Sequence, residues 1–521
     1  MGLFIEAIAQ FKSPLHEVAR GLLRSRSNQT QRAERLAEQL REQREISSRL
    51  EKEARDAHQE VADVRQKLSA AERENQRLKS LPVVLPEDPP LPNHSYGPRM
   101  ISLCIQLAKR TGFHACVDAI RILFDWLGIE SKIPSWSSVR IWLCRMGIDG
   151  LNQSLRPHDD WIWMADHSNQ IGKEKVLSIL GIRASQLPAP GQTLRHRDVH
   201  VLAVVPGTQW KREDVREQYR ALAAKIGTPK MLISDGAVEL RESADGLGNP
   251  GKQPILLRDM KHFAANALER MIGGSDRFQA YLSHLGRTRS SIQQTELSHF
   301  TPPAPNSKAR FMNFEPTLRW GAMVSWHLAH PQSEARQGIA AKRMSEKLGW
   351  VRGFRADLAC WSRLQMIINE SLHFINTQGL YRGASADLGV RLGRLRTEGW
   401  ASCEASDRMA RTLIDFVAES EQQLAEGERG WLSTEILESA FGLYKGLEGQ
   451  HSKGGFTSLL ASFPALLSDC SPAQVRESFR RTSVQDVKTW VSENLGRTLA
   501  SKRSVAYRES APSALVSVNA G

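Results

Sequence analysis

Three carboxylates stand where they could do chemistry. Asp166 closes the apolar run Trp161-Ile162-Trp163-Met164-Ala165, and Asp235 closes Met231-Leu232-Ile233-Ser234. Glu438 lies far downstream in Glu435-Ile436-Leu437-Glu438-Ser439-Ala440-Phe441-Gly442-Leu443-Tyr444-Lys445, a segment that reads as a helix. Moving a phosphodiester needs an activated oxygen nucleophile and stabilised charge on the leaving oxygen, and two divalent ions roughly 4 Å apart supply both. Mg²⁺ (or Mn²⁺) takes oxygen ligands and keeps several waters, so a few carboxylates suffice. Strand ends hold such ligands rigidly. The expectation is a site for two ions, with Asp166 bridging both, Asp235 holding one and Glu438 the other. One aspartate after an apolar run is usually a cap or turn residue; two of them, on the first and fourth strands, favour a site. Glu435, one turn from Glu438, and Glu370, in Ile367-Ile368-Asn369-Glu370-Ser371, stay open as the third acid.

A second pattern follows the fifth apolar run: Arg258-Asp259-Met260-Lys261-His262, of the form Asp-x-x-His at a helix start. Read by itself it is a cap followed by a solvated helix residue, or a pair facing the acids. In the downstream helix Glu438, Phe441 and Lys445 fall at spacings of three and four, hence on one face. With these elements the chain resembles the DDE transposases, in particular the Mutator-like, hAT-like and related bacterial insertion-sequence groups. The resemblance covers residues from about 100 to 465. It implies DNA strand cleavage and transfer at transposon ends, Glu438 as third acid, and a site-shaping or DNA-contacting role for Asp259 and His262. Lys445 would reach a phosphate. The separation of 203 residues between Asp235 and Glu438 (438 − 235) fits the branch in which a helical domain interrupts the catalytic fold.

The elements that must position these residues are legible as changes of period. Strands are expected at 161–166, 175–182, 199–205, 230–234 and 254–257, with helices at 211–226 and from about 260. That order is the order of a ribonuclease H-like fold, in which the first three strands are antiparallel and later ones add in parallel. The expected class is an α-rich α+β multidomain protein. It would have a ribonuclease H-like mixed-sheet core at 156–275, an all-α insertion at 276–430 and a returning core segment at 431–470 that carries the third acid. His167 would point away from Asp166 by strand alternation. Trp320 and Trp326, in the insertion, read as core packing before any role in stacking on a flipped base.

Upstream, residues 1–27 are a short amphipathic segment. From 28 to 80 there is no glycine or proline. Leu36, Gln43, Leu50, Ala57, Val64, Ala71 and Leu78 alternate with Leu40, Ser47, Ala54, Val61, Leu68 and Asn75 in steps of four and three, which predicts a left-handed coiled coil and self-association. Residues 81–98 carry six prolines and read as an extended linker. Residues 99–155 hold three helical patterns. The last of these, starting after Ser135 or Ser137 and ending at Gly147, presents Arg140 and Arg145; such a trio resembles a helix-turn-helix DNA reader, or else a small bundle packed on the next domain. Residues 471–521 read as a basic helical tail.

Composition narrows the partners. At 521 residues and a net charge of +13 the chain is multidomain and suited to a polyanion, so DNA is the expected partner. Six scattered cysteines lack paired spacing, which argues against a zinc module or disulfide framework and for a reducing compartment. No apolar run reaches the ~18 residues that span a bilayer, and Glu6, Lys12 and His16 interrupt any signal-peptide layout. The expected location is the cytoplasm, on the nucleoid if the source is bacterial. No phosphate-binding Gly-Lys-Ser/Thr loop, nucleophile elbow or His-Glu-x-x-His is present, so no nucleotide cofactor is expected. The leading expectation is a Mg²⁺-dependent DNA transposase. The alternatives are a catalytically inactive transposase-derived DNA-binding regulator and a coiled-coil assembly protein.

Overall fold

A computed structural model describes residues 14–80, 87–169, 174–248, 253–304, 311–312, 314–397, 403–449, 456–497 and 499–510. The chain divides between Glu87 and Asp88 into two compact units. The first is one unbroken helix, α1 (Pro14–Ser80), which also takes in half of the segment read as separate at 1–27. Its heptad positions Leu36, Leu40, Leu50, Val61, Val64 and Leu68 are each more than half exposed.

The second unit opens with α2 (Pro98–Thr111), α3 (Phe113–Leu127) and α4 (Trp136–Leu151). Asp88, within the proline-rich stretch, receives the amides of Arg99 and Met100 on its two carboxylate oxygens and so caps α2. Ser135 caps α4 by accepting the Ser138 amide at 3.2 Å. Gly147 does not end α4 as expected. It lies inside the helix, where a Cβ would overlap the Ala461 carbonyl, so the missing side chain serves close packing.

The central sheet is mixed and five-stranded, with strands β1 (Trp161–Asn169), β2 (Lys175–Arg183), β3 (His200–Gly207), β4 (Met231–Ser234) and β5 (Ile255–Arg258) in the order β3-β2-β1-β4-β5. β1–β2 and β2–β3 are antiparallel, whereas β4 runs parallel to β1 and β5 parallel to β4. Alternation sends Ile162 and Met164 to one core and Trp161, Trp163 and Ala165 to another. A central strand covered on both faces reads as a continuous apolar run, which is why β1 shows no polar alternation. Helix α5 (Arg212–Ile226) joins β3 to β4 and buries Val215, Tyr219, Leu222 and Ile226 against the tryptophan face. A short helix α6 (Val238–Arg241) follows β4, and α7 (Met260–Leu268) follows β5.

Six helices of the described residues fill the insertion: α8 (Asp276–Ile292), α9 (Glu315–Ala329), α10 (Ala341–Leu348), α11 (Arg355–Gln378), α12 (Ala384–Thr397) and α13 (Glu404–Glu421). Their core is aromatic, with Phe278, Tyr281, Phe314, Trp350 and Trp361 in mutual ring contact. A minimal antiparallel pair, β6 (Leu380–Tyr381) with β7 (Arg429–Gly430), closes the insertion. A Cβ on Gly430 would sit 2.6 Å from Met231 Sδ, so β7 packs closely on β4. The chain then returns through α14 (Glu435–Gly449), α15 (Phe463–Leu467), α16 (Pro472–Arg481), α17 (Val484–Asn494) and α18 (Leu499–Ser510).

The C-terminal helices differ from the expected tail. α16 and α17 complete the α2–α4 bundle. Ser102 donates to the Cys470 carbonyl at 2.7 Å, Lys109 to the Ala465 carbonyl at 2.9 Å, and Arg481 pairs with Asp149 at 2.7 Å. Three short helices bury too little surface alone, and the missing cover comes from more than 300 residues away in sequence, as the Ser102–Cys470 separation of 368 shows.

Candidate active site

Register brings the first two acids together. Ala165 lies opposite Ser234 in the parallel β1–β4 pair, so Asp166 and Asp235 follow side by side at the carboxyl edge, with backbones about 5 Å apart by ordinary strand spacing. Gly236, at φ +90°, lets the chain turn sharply after Asp235, and Asp235 Oδ1 accepts the Ala237 amide at 2.7 Å. Asp166 Oδ1 accepts the His167 amide at 2.7 Å. Each aspartate keeps one oxygen with no hydrogen bond among the described residues.

Asp259 ties the start of the Glu438 helix to the sheet. It is fully buried and caps α7 by accepting the His262 amide at 2.7 Å. Its other oxygen takes the amide of Thr434 at 2.6 Å and its hydroxyl at 3.0 Å. Thr434 is the residue before α14, so one carboxylate staples the starts of α7 and α14 together. A further bond, Met260 amide to Leu432 carbonyl at 3.0 Å, runs alongside. Glu438 lies in the first turn of α14, where it meets Lys261 Nζ at 2.6 Å and His262 Nε2 at 3.6 Å.

Electrostatics register the convergence. Burial and then the charge of Asp235 push Asp166 up to about 7, with Glu438 adding to the rise and His262 opposing it. Burial would lower His262, but Glu438 Oε1 at 3.6 Å and the charges of Asp259, Asp166 and Asp235 raise it to about 8. Glu438 is raised by burial and held lower overall by His262 and Lys261. Glu438 is thus the rival whose charge acts on Asp166. Glu435 instead receives Asn376 and sits 3.4 Å from Lys261, and Glu370 is paired with Arg391 on α12.

Among the described residues no three His, Cys, Asp or Glu side chains form a ready cation cage. The donor set nevertheless fits an oxygen-loving divalent ion. Two adjacent carboxylates each have an uncommitted oxygen, and Glu438 Oε1 is buried without a hydrogen-bond partner. Glu438 would have to exchange the Lys261 ammonium for the ion.

Other expected residues fall elsewhere. Lys445 is exposed on α14 with its ammonium 5.9 Å from the Phe441 ring centroid. Arg140 donates to Ser458 Oγ at 2.6 Å. Arg145 is buried, lies 3.9 Å over the Phe479 ring and donates to the carbonyls of Phe479 and Thr482. Its guanidinium therefore ties α4 to the C-terminal helices rather than offering itself to a phosphate. His167 turns to the opposite face from Asp166, stacked on Trp210 and 3.9 Å from Glu239. Trp320 is buried and bonded to the Phe300 carbonyl, whereas Trp326 is half exposed and stacked on His330.

Three site residues escape sequence reasoning. Lys261 lies inside the Asp-x-x-His pattern, but its role needs α14 beside it. Thr434 carries no signal of its own. Ser178 faces Asp166 across the β1–β2 ladder, fully buried and with an unpaired hydroxyl, and only the register reveals it.

No protein-family model and no curated protein matches the chain. Among solved structures it is similar to the Drosophila P element transposase strand transfer complex, at 11% identity, covering 81% of this chain and 99% of that one, with a TM-score of 0.35.

Proposed function

We propose that this protein is a DDE-type DNA transposase with a ribonuclease H-like core, cutting and joining DNA with two Mg²⁺ or Mn²⁺ ions. One observation carries the reading: Asp166 and Asp235 stand side by side at the carboxyl edge of the sheet, and Asp235 together with Glu438, 272 positions downstream of Asp166 (438 − 166), raises the Asp166 carboxyl. Strand order β3-β2-β1-β4-β5 with those directions supports a ribonuclease H-like assignment, and the helical body between β5 and α14 supports an interrupted one.

Asp166, Asp235 and Glu438 would hold the ions, which when bound supply an activated oxygen nucleophile and charge stabilisation at the leaving oxygen. Before that, Lys261 and His262 offset the charge of Glu438 and keep it ionised. Asp259 keeps α14 at the correct distance through Thr434. Lys445 is free to meet a backbone phosphate. Water would be the first nucleophile, releasing a 3′-hydroxyl that attacks target DNA. DNA ends and target are the proposed partners, and α1 is proposed to pair with α1 of a second copy.

The test uses purified protein, DNA carrying the sequences that flank its own coding region, and Mn²⁺. Cleavage is expected with the native chain and expected to vanish in Asp166→Asn and Asp235→Asn, with end binding retained by both. Cleavage that survives both substitutions overturns the reading. End binding without cleavage by the native chain would instead identify a DNA-binding regulator that has lost its reaction.

A further inference from the structure

The cysteines carry no paired spacing, yet the fold pairs two of them. Cys360 lies near the start of α11 and Cys403 is the N-cap of α13, and their sulfurs are 3.2 Å apart. Both are partly exposed, whereas Cys104, Cys116, Cys144 and Cys470 are buried. We propose that Cys360 and Cys403 are a reversible oxidation site, closing to a disulfide that pins α11 to α13.

The two thiols are unequal in the way such chemistry needs. The Cys403 sulfur sits at a helix N-terminus in a reciprocal cap with Ser406, whose hydroxyl receives the Cys403 amide at 3.0 Å. Helix N-termini and nearby cations favour thiolate. Burial would raise Cys403, but bonds from Cys360, Ser406 and Arg363 outweigh it and lower it. Burial, and then Cys403, push Cys360 up to about 11. Cys403 is therefore the nucleophile and Cys360 the resolving thiol. With a peroxide, the Cys403 thiolate takes one oxygen to give a sulfenic acid and water leaves. Cys360 sulfur then attacks the Cys403 sulfur, the S–O bond breaks, and a second water leaves with the Cys360 proton. Two thiols have lost two electrons, and the peroxide has gained them. A glutathione-type disulfide accepts the same two electrons by exchange, releasing two thiols.

The bond would have a mechanical effect. α11 and α13 pack on each other and both pack on α7, where Phe263 stacks on Phe416 of α13 with centroids 3.9 Å apart. α7 carries Lys261 and His262, so the pair lies on elements that cradle one wall of the acidic site. The inference does not depend on the transposase reading.

The test treats the full-length native protein with hydrogen peroxide or oxidised glutathione and maps peptides by mass spectrometry without reduction. The expected product is a 360–403 cross-linked peptide that dithiothreitol reverses, with four thiols still protected until denaturation. Cross-linking a loop of this length is expected to raise the Tm by several degrees. Cys360→Ser should trap a mixed glutathione disulfide on Cys403, and Cys403→Ser should leave Cys360 unmodified. The proposal is overturned if native protein keeps both thiols, if Cys403 takes glutathione without cross-linking, or if either cysteine pairs with a different partner.

Discussion

Asp166 shows how a site of this kind stores instability. Its carboxyl is raised from 3.8 to about 7 by burial and by Asp235. The unfolded chain gives up that proton first, so the metal-free fold loses stability as pH climbs from about 4 to about 7. Asp166→Asn removes the loss. It is expected to stabilise metal-free protein by on the order of 1–3 kcal/mol above about pH 7 and by nothing near pH 4, as thermal melts across that range would read. A variant less stable than native at high pH would show that the two aspartates do not repel. Divalent-ion binding should reverse the trend. Mn²⁺ must displace the Asp166 proton, so affinity is expected to rise with pH up to about 7, with proton release visible by calorimetry in buffers of different ionisation enthalpy.

Between elements, Asp259 is the joint. It accepts the His262 amide in the first turn of α7 and the buried Thr434 amide just before α14. Asp259→Ala leaves those donors unsatisfied and is expected to cost about 2–4 kcal/mol in urea unfolding, with Asp259→Asn recovering part of it. A change within about 0.5 kcal/mol would mean the staple does nothing. α1 poses the opposite case, a helix about 100 Å long by its 67 residues with an exposed apolar seam. Leu50→Asp with Leu68→Asp is expected to lower the molecular mass seen by sedimentation, since charge at both core positions of a coiled coil opposes pairing. An unchanged mass would place self-association elsewhere.

Across the whole molecule, the N-terminal bundle depends on the C-terminal helices. Arg145 and Asp149 on α4 find their partners at Phe479, Arg481 and Thr482. Ending the chain after Cys470 is therefore expected to expose the amides of α2–α4 to hydrogen exchange, instead of only removing basic charge. Protection equal to that of the full chain would show that the bundle stands without this cover. The excess of +13 should appear as a steep fall of DNA affinity with salt, log K dropping by roughly 0.9 for each phosphate neutralised per decade of salt.

Much of this was legible in one dimension because it is local. Apolar runs ending in Asp166 and Asp235 marked β1 and β4, since a strand covered on both faces cannot hide its composition. The heptads of α1 and the Ser135 cap were equally open, because helix period and capping involve neighbours a few residues apart. Glu438 stood out from Glu435 and Glu370 only through a resemblance, and its nearness to Asp166 depends on Asp259 and Thr434, which are 175 residues apart. Arg145 looked like a surface cation because burial is not a property of spacing. The Cys360–Cys403 contact had no sequence signal at all. What the chain by itself determined is which segments become strands and helices and which chemistries they can carry, since both follow from short-range periodicity and side-chain type. Which acids share a field, which arginines face inward and which thiols touch were decided only by tertiary structure, because those contacts join residues that no local rule relates.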